Sequence, residues 1–430
     1  MTQGQPQAPM ATPTRLAVTV RVARGDDEQA AGELTAQAYQ ADGMLLDSDP
    51  YADELRDAHR RAREAVLLVA TVPTGDGREA VVGSLTVAPY GSSYAEVAEP
   101  DEVELRMLAV APEARRRGVA EELVHAALRE AVAGGARRVV LSTLDAATTA
   151  RRLYARLGFE LRPDRDWGHG AVQLRVHTWT APEPPGVLVE AATWTPARVV
   201  DVDGWRVGLS GGVSRRANCV QALGAPAEPD EALARVEQLY AAEGLPATFR
   251  VGAESRPIGL DGLLAARGYE LVAPADVLVR SLDGASPVRL PDRSVHLHVT
   301  DEPDEEWLAD WFAGTSSPDR PGAREVGRAV LTGSPARYLS VHDAGRLVGR
   351  VRVAFAEGWA GVSCLAVDPG QRRRGLGRTL TAAALAEAER HGADRAFLQV
   401  AAANAGAARL YSGLGFRPAT RYAYRVRTER

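Results

Sequence analysis

Residues 361–377 read Gly-Val-Ser-Cys-Leu-Ala-Val-Asp-Pro-Gly-Gln-Arg-Arg-Arg-Gly-Leu-Gly. The apolar run 362–367 has the composition of a buried strand, and Asp368-Pro369-Gly370 breaks it. A basic turn, 371–377, then leads into an Ala-rich stretch of helical character that reaches His391. Strand, glycine-bearing turn and helix start together make an anion cradle. Backbone N–H groups converge there, the helix dipole adds positive potential, and glycines let the anion approach the main chain. Neither Gly-x-x-x-x-Gly-Lys-Ser/Thr nor Gly-x-Gly-x-x-Gly fits the stretch.

The pattern occurs twice. Residues 103–120 read Val-Glu-Leu-Arg-Met-Leu-Ala-Val-Ala-Pro-Glu-Ala-Arg-Arg-Arg-Gly-Val-Ala, again ahead of an Ala/Leu/Glu helix. Each copy is followed by a second match, Arg-Arg-Leu-Tyr-Ala-Arg-Leu-Gly-Phe at 151–159 and Ala-Arg-Leu-Tyr-Ser-Gly-Leu-Gly-Phe at 408–416. Gly118 precedes Tyr154, and Gly375 precedes Tyr411, by the same interval of 36 residues. Two motifs at one spacing, occurring twice, identify an internal repeat.

Gln/Arg-x-x-Gly-x-Gly/Ala after such a strand resembles the pyrophosphate signature of the GNAT superfamily of N-acyltransferases. The resemblance implies an α/β fold with a mixed sheet, present as tandem GNAT units, and transfer of an acyl group from acetyl-CoA or another short acyl-CoA. It implies that Arg372, Arg373, Arg374, Gly375, Leu376, Gly377 and Arg378 hold the diphosphate in the last unit. Arg115, Arg116, Arg117, Gly118, Val119 and Ala120 do so in the first. The pantetheine arm would pair with Leu365, Ala366 and Val367, or with Leu108, Ala109 and Val110, as an added strand. Tyr411 and Tyr154 match the tyrosine that protonates or hydrogen-bonds the CoA sulfur; a core tyrosine on an amphipathic helix is the alternative. Asn404 matches an asparagine that contacts the cofactor, where the first unit has Ala147.

Glu104 lies six residues before Val110, so strict alternation puts both on one strand face. A glutamate there serves some family members as general base, although a salt bridge to Arg106 is an equal reading. The last unit has Gly361 at that offset, and Glu357 is only a weak substitute. Cys364 is expected to point away from the Leu365 face as a structural thiol. Trp307, Trp311 and Phe312 read as core. Arg215 and Arg216, after Gly211-Gly212, read as a solvated turn or as a site for an anionic acceptor.

At 430 residues the chain exceeds one ordinary core. The boundaries expected are a disordered tail at 1–15, a GNAT unit at 16–180, a Pro-rich linker at 181–186, a degenerate GNAT-like lobe at 187–288 and a second GNAT unit at 289–430. In the lobe, Leu264 stands where the other copies have tyrosine, and the basic turn is missing. One helix is expected over 52–64 and one strand-like stretch over 198–209. The net charge of −5 gives no reason for nucleic-acid binding, and no apolar run is long enough to span a bilayer, so cytoplasmic location is the expectation. All 51 basic residues are Arg, which excludes lysine nucleophiles, and Cys219 and Cys364 lack metal-ligand neighbours. The acceptor expected is a primary amine of a small molecule or peptide, with no metal. A non-catalytic acyl-CoA sensor, or a tandem with one active unit, is the competing reading. Oligomeric state is not legible.

Overall fold

The computed structural model describes residues 15–45, 49–169, 172–284, 288–291, 294–314 and 321–427. The expected disordered tail, apart from Arg15, lies outside the described residues. The chain divides into two compact units, Met1–Ala181 and Pro182–Arg430. The break falls at the Pro-rich stretch read as a linker.

The first unit runs β1 (Thr19–Val22), α1 (Gly25–Ala41), α2 (Tyr51–Arg56), α3 (Ala58–Glu64), β2 (Val66–Pro73), β3 (Glu79–Pro89), β4 (Glu102–Val110), α4 (Val119–Ala133), β5 (Arg138–Leu144), α5 (Thr148–Arg156), β6 (Glu160–Leu161), β7 (Trp167–His169) and β8 (Val172–Thr180). Its sheet has the order β1-β2-β3-β4-β5-β8-β6, with β7 on β8. Only β4 and β5 are parallel, joined through α4, and the remaining pairs are antiparallel. The apolar face of α4 (Leu123, Ala127, Leu128) packs with Leu85, Leu105 and Leu141 of the sheet. The single helix expected over 52–64 is two, because Asp57 leaves helical geometry (ψ 64°) and its carboxylate accepts the N–H of Arg60 as the cap of α3.

The second unit contains α6 (Val187–Ala192), β9 (Arg198–Val202), β10 (Trp205–Leu209), β11 (Val220–Ala222), α7 (Pro229–Ala242), β12 (Thr248–Val251), α8 (Leu260–Ala266) and β13 (Tyr269–Ser281). It continues with β14 (Val295–Thr300), α9 (Glu305–Ala313), α10 (Ala323–Thr332), β15 (Ala336–Asp343), β16 (Arg346–Ala356), β17 (Trp359–Val367), α11 (Leu376–Arg390), β18 (Arg395–Ala401), α12 (Ala405–Ser412) and β19 (Arg417–Arg427). The strand-like stretch at 198–209 is a hairpin. Asp203-Gly204 turns it, with φ of 52° and 85°, the pair of positive angles that Asp-Gly supplies.

One eleven-stranded sheet runs through this unit in the order β14-β15-β16-β17-β18-β13-β19-β12-β11-β10-β9. The middle segment repeats a reduced GNAT pattern, with β11 and β12 parallel around α7. Its closing strand β13 pairs with β18, where β8 pairs with β5 in the first unit. In return β19, the closing strand of the last segment, pairs with β12. The two segments read as separate lobes thus exchange their final strands. The α7 helix opens on Pro229, Asp230 and Glu231 instead of a basic turn, and Leu264 is buried in the local core. Trp307, Trp311 and Phe312 are buried with Trp194, as core aromatics.

Candidate active site

The first feature of the site is a gap inside each sheet. In the first unit, β4 and β5 pair in parallel from Glu102/Arg138 to Leu105/Leu141 and no further. In the second, β17 and β18 pair from Trp359/Arg395 to Val362/Leu398 and no further. Beyond these points each strand keeps its antiparallel neighbour but has no parallel partner. Residues 108–110 and 365–367 therefore turn one row of backbone N–H and C=O groups into a cleft. An interior strand with an open edge is a template for an extended ligand.

A bulge sits at the mouth of each gap. The β3/β4 register passes from Thr86↔Arg106 to Ser84↔Ala109, and β16/β17 from Arg352↔Ser363 to Arg350↔Ala366. Met107 (φ 56°) and Cys364 (φ 59°) are left-handed in mid-strand. Such a conformation costs a non-glycine residue about 1–3 kcal/mol and is tolerated mainly at functional sites. In the second unit Arg350 holds the bulge, donating from Nη1 to the Cys364 carbonyl at 2.6 Å while Nε donates to Asp310 at 2.6 Å.

The bulge corrects the face assigned to Glu104. Val103 and Leu105 pack on the α4 side, and after the bulge so do Leu108 and Val110, so Glu104 and Val110 fall on opposite faces. Strict alternation fails because the extra residue shifts the parity. Glu104 is fully buried. Its Oε2 accepts the N–H of Glu96 at 2.7 Å and of Val97 at 2.8 Å, and Oε1 lies 3.5 Å from Arg106. Burial pushes its pKa up, against the amide bonds and Arg106 that pull it down. This carboxylate pins the loop ahead of β4.

Each cleft ends at a basic turn. Arg116 (φ 57°) with Gly118 (φ 87°), and Arg373 (φ 64°) with Gly375 (φ 86°), alternate left-handed residues with ordinary ones. That alternation points successive N–H groups inward as an anion nest. Gly118 and Gly375 are the N-caps of α4 and α11, whose first-turn amides have no intrahelical acceptor. The two turns differ in charge. In the first, Glu121 and Glu122 occupy the opening helical turn, and Arg15 bonds both of them. Arg15 also lies over Gly118, where an added Cβ would come within 2.9 Å of its Nε. Arg115 is committed to Asp42 at 2.6 Å and to the Ala38 carbonyl. In the second, no acid stands in the opening turn of α11. Arg372 and Arg373 are exposed, Arg374 pairs with Asp343 at 2.7 Å, and Arg378 donates to the Gly413 carbonyl.

Tyr154 of α5 and Tyr411 of α12 are the third shared feature. Both are buried, and each ring packs tilted or edge-on against the phenylalanine five residues on, Phe159 or Phe416. Burial alone pushes each phenol up to about 12. Neither hydroxyl bonds to another described residue. Asn404 caps α12, its Oδ1 accepting the N–H of Ala407 at 3.0 Å. Cys364 is half-buried rather than buried. It lies away from the Leu365 face and lines a cavity of about 510 Å³ with Trp194 and Trp311. Sequence reading missed Thr193, whose hydroxyl would lie 2.8 Å from a Cβ added at Gly361. The place held by Glu104 in the first unit is thus filled by a middle-segment side chain, and its only sequence signal was the glycine itself.

Comparison with known proteins agrees with this geometry. A family model described as "Probable histone acetyltransferase Rv0428c C-terminal" matches residues 189–425, more than half of the chain. The acetyltransferase (GNAT) family model matches residues 33–159. The chain is a tandem GNAT N-acetyltransferase. An uncharacterized N-acetyltransferase, YobR of Bacillus subtilis, is 28% identical over 244 residues, 55% of this chain and 95% of that one. A mycothiol acetyltransferase of Thermobispora bispora is 42% identical over 89 residues, 19% of this chain and 30% of its own length. Among solved structures, a tandem GNAT protein from the clavulanic acid biosynthesis pathway aligns over 96% of this chain and all of its own, at 16% identity and TM-score 0.34. A GCN5-related N-acetyltransferase from Kribbella flavida aligns over 57% of this chain and 95% of its own, at 21% identity and TM-score 0.43. GNAT enzymes use acyl-CoA and act on amines. No helix among the described residues is long and apolar enough to cross a membrane.

Proposed function

We propose that the second unit catalyses transfer of an acetyl group from acetyl-CoA to a primary amine, and that the first unit binds CoA weakly or not at all. What supports this reading is the combination in one unit of an unpaired strand edge at 365–367, a bulge tied by Arg350, a nest with no carboxylate in its opening helical turn, and a buried phenol, Tyr411, in the same core as Leu365 and Val367. The first unit has the same backbone, but its nest carries Glu121 and Glu122 under Arg15. Carboxylates at a helix start use the dipole that a phosphate needs and repel its charge.

Acetyl-CoA supplies an activated carbonyl carbon and a sulfur that leaves as thiolate. The amides of 373–378 hold the diphosphate, and the edge of 365–367 holds the arm. A bulge amide donates to the thioester carbonyl oxygen, where charge develops as the amine adds. Tyr411 keeps its proton throughout. Burial raises the phenol's pKa to about 12, above the value of about 8.5 for an ordinary thiol, which disfavours full proton transfer. The hydroxyl therefore donates a hydrogen bond to the departing sulfur, and the proton lost by the amine goes to solvent.

Calorimetry with CoA and thiol release from acetyl-CoA over an amine panel test this reading. One CoA per chain is expected. Tyr411→Phe should lower kcat roughly 10- to 100-fold, the worth of a hydrogen bond to a charged atom, with CoA affinity kept. Tyr154→Phe should change neither. Two equal CoA sites, or loss of turnover from Tyr154→Phe alone, would transfer the assignment to the first unit or to both. CoA binding without turnover on any amine would favour the sensor.

A further inference from the structure

The cavity of about 510 Å³ beside Cys364 lies inside the second unit and is built largely by the middle segment. Trp194 and Trp311 form apolar walls, and the loop after Gly211-Gly212 brings Arg215 and Arg216 to the lining. Among the described lining residues these two arginines hold the only formal charges. Arg216 lies over the Trp194 ring at 4.7 Å and Arg215 over Tyr424 at 5.5 Å. Neither guanidinium makes a hydrogen bond or ion pair with another described residue. Stacking on a ring face leaves the N–H edge of a guanidinium available to an anion.

A third positive charge stands behind the wall. Arg352, fully buried, lies over Trp194 at 5.3 Å and donates to the carbonyls of Leu331 and Thr193 and the hydroxyl of Ser334, with no carboxylate among these partners. The acids around the pocket are engaged by other arginines: Glu190 pairs with Arg250 at 2.9 Å, and Asp310, next to Trp311, with Arg350 at 2.6 Å. The cavity is therefore an aromatic, positively charged pocket with Cys364 of the bulge in its lining.

We propose that this cavity is the acceptor pocket and that it selects an amine carrying a carboxylate, held by Arg215 and Arg216. The inference rests on acetyl transfer in the second unit as argued above. A cationic acceptor without an anion would meet the arginines unscreened, whereas a carboxylate finds two guanidinium edges and aromatic walls for its stem. The same field answers the missing base. With Gly361 and Thr193 where a glutamate would stand, nothing on the strand removes the ammonium proton. Neighbouring positive charge disfavours the ammonium form, so the bound amine is deprotonated by solvent at a lower pH than in water.

Glycine, alanyl-alanine and 6-aminohexanoate, each beside its carboxamide, test this in the full chain. Thiol release from acetyl-CoA gives kcat/KM, and calorimetry on CoA-saturated protein gives affinity. At least one acid should exceed its amide by tenfold or more in both. Arg215→Gln/Arg216→Gln should remove that preference while leaving CoA affinity within about twofold. Amides that match or exceed their acids in both measurements, or a preference that survives the double variant, overturn the proposal. Turnover of amides alone would overturn it while leaving acetyl transfer intact. Acids that bind selectively without being acetylated would support the pocket and overturn catalysis by this unit.

Discussion

On the proposed reading, Tyr411 decides what the second unit's chemistry asks of pH. Its phenol is pushed up to about 12 by burial, above the ordinary value of about 10. A raised pKa means that the folded protein keeps this proton while the unfolded chain releases it. The associated stability is complete below pH about 10 and is lost between about 10 and 12. Between pH 6 and 9.5 the phenol therefore stays protonated. The acid limb of kcat/KM therefore belongs to the acceptor amine, and Tyr411→Phe should lower the whole profile without moving that limb. Profiles of the two proteins from pH 6 to 9.5 check it, and an alkaline limb present with Tyr411 and absent from the variant would make Tyr411 a titrating acid instead. Other residue roles could not be reached from sequence. Glu104 stands at the offset of a base, yet two loop amides engage it, and only the fold brings residues 96 and 97 over β4. Cys364 looked structural because alternation counts faces and says nothing of a cavity formed by residues 194–218.

The strand–turn–helix element carries the cofactor reading, and it was legible because everything that makes it is local. Break, basic run, glycines and the following helix are contiguous, and the repeat gave them twice. The bulges at Met107 and Cys364 left no such mark, since a bulge is fixed by the pairing partner. Gly375 offers a test of the element. Its φ of 86° is left-handed and an added side chain would meet nothing within 4 Å. A substitution there acts through backbone strain alone, about 1–2 kcal/mol for an L-residue. Relief of that strain by re-forming the turn would rotate nest amides out of line. Gly375→Val should weaken CoA binding at least tenfold by calorimetry, with the melting temperature lowered by only a few degrees. Gly118→Val, in the nest overlain by Arg15, should leave CoA affinity unchanged. Equal losses from both would mean that the first unit also holds CoA.

At the scale of the molecule, the strand exchange makes the middle segment more than a degenerate copy. Sequence similarity marks 187–288 as an echo and 289–430 as complete, and that led to a boundary between them. The sheet argues otherwise, because long-range pairing is invisible to local pattern. In a fragment 289–430, β18 would lose its seven-residue pairing with β13, and β19 would lose both β13 and β12. Arg352 would lose the Thr193 carbonyl, and the wall formed by Trp194 would be missing. Exposed strand edges of this length are aggregation sites. The fragment should therefore be insoluble or unfold without cooperativity, whereas 182–430 should melt in a single transition, and co-expression of 182–288 with 289–430 should restore a soluble complex. Circular dichroism melts and size-exclusion chromatography decide between these outcomes. A monomeric, cooperatively folded 289–430 that turns over acetyl-CoA would mean that the middle segment is dispensable both for the fold and for the acceptor pocket. On the proposed reading the middle segment has two tasks that need no CoA site: it closes the sheet, and it supplies the pocket's charge.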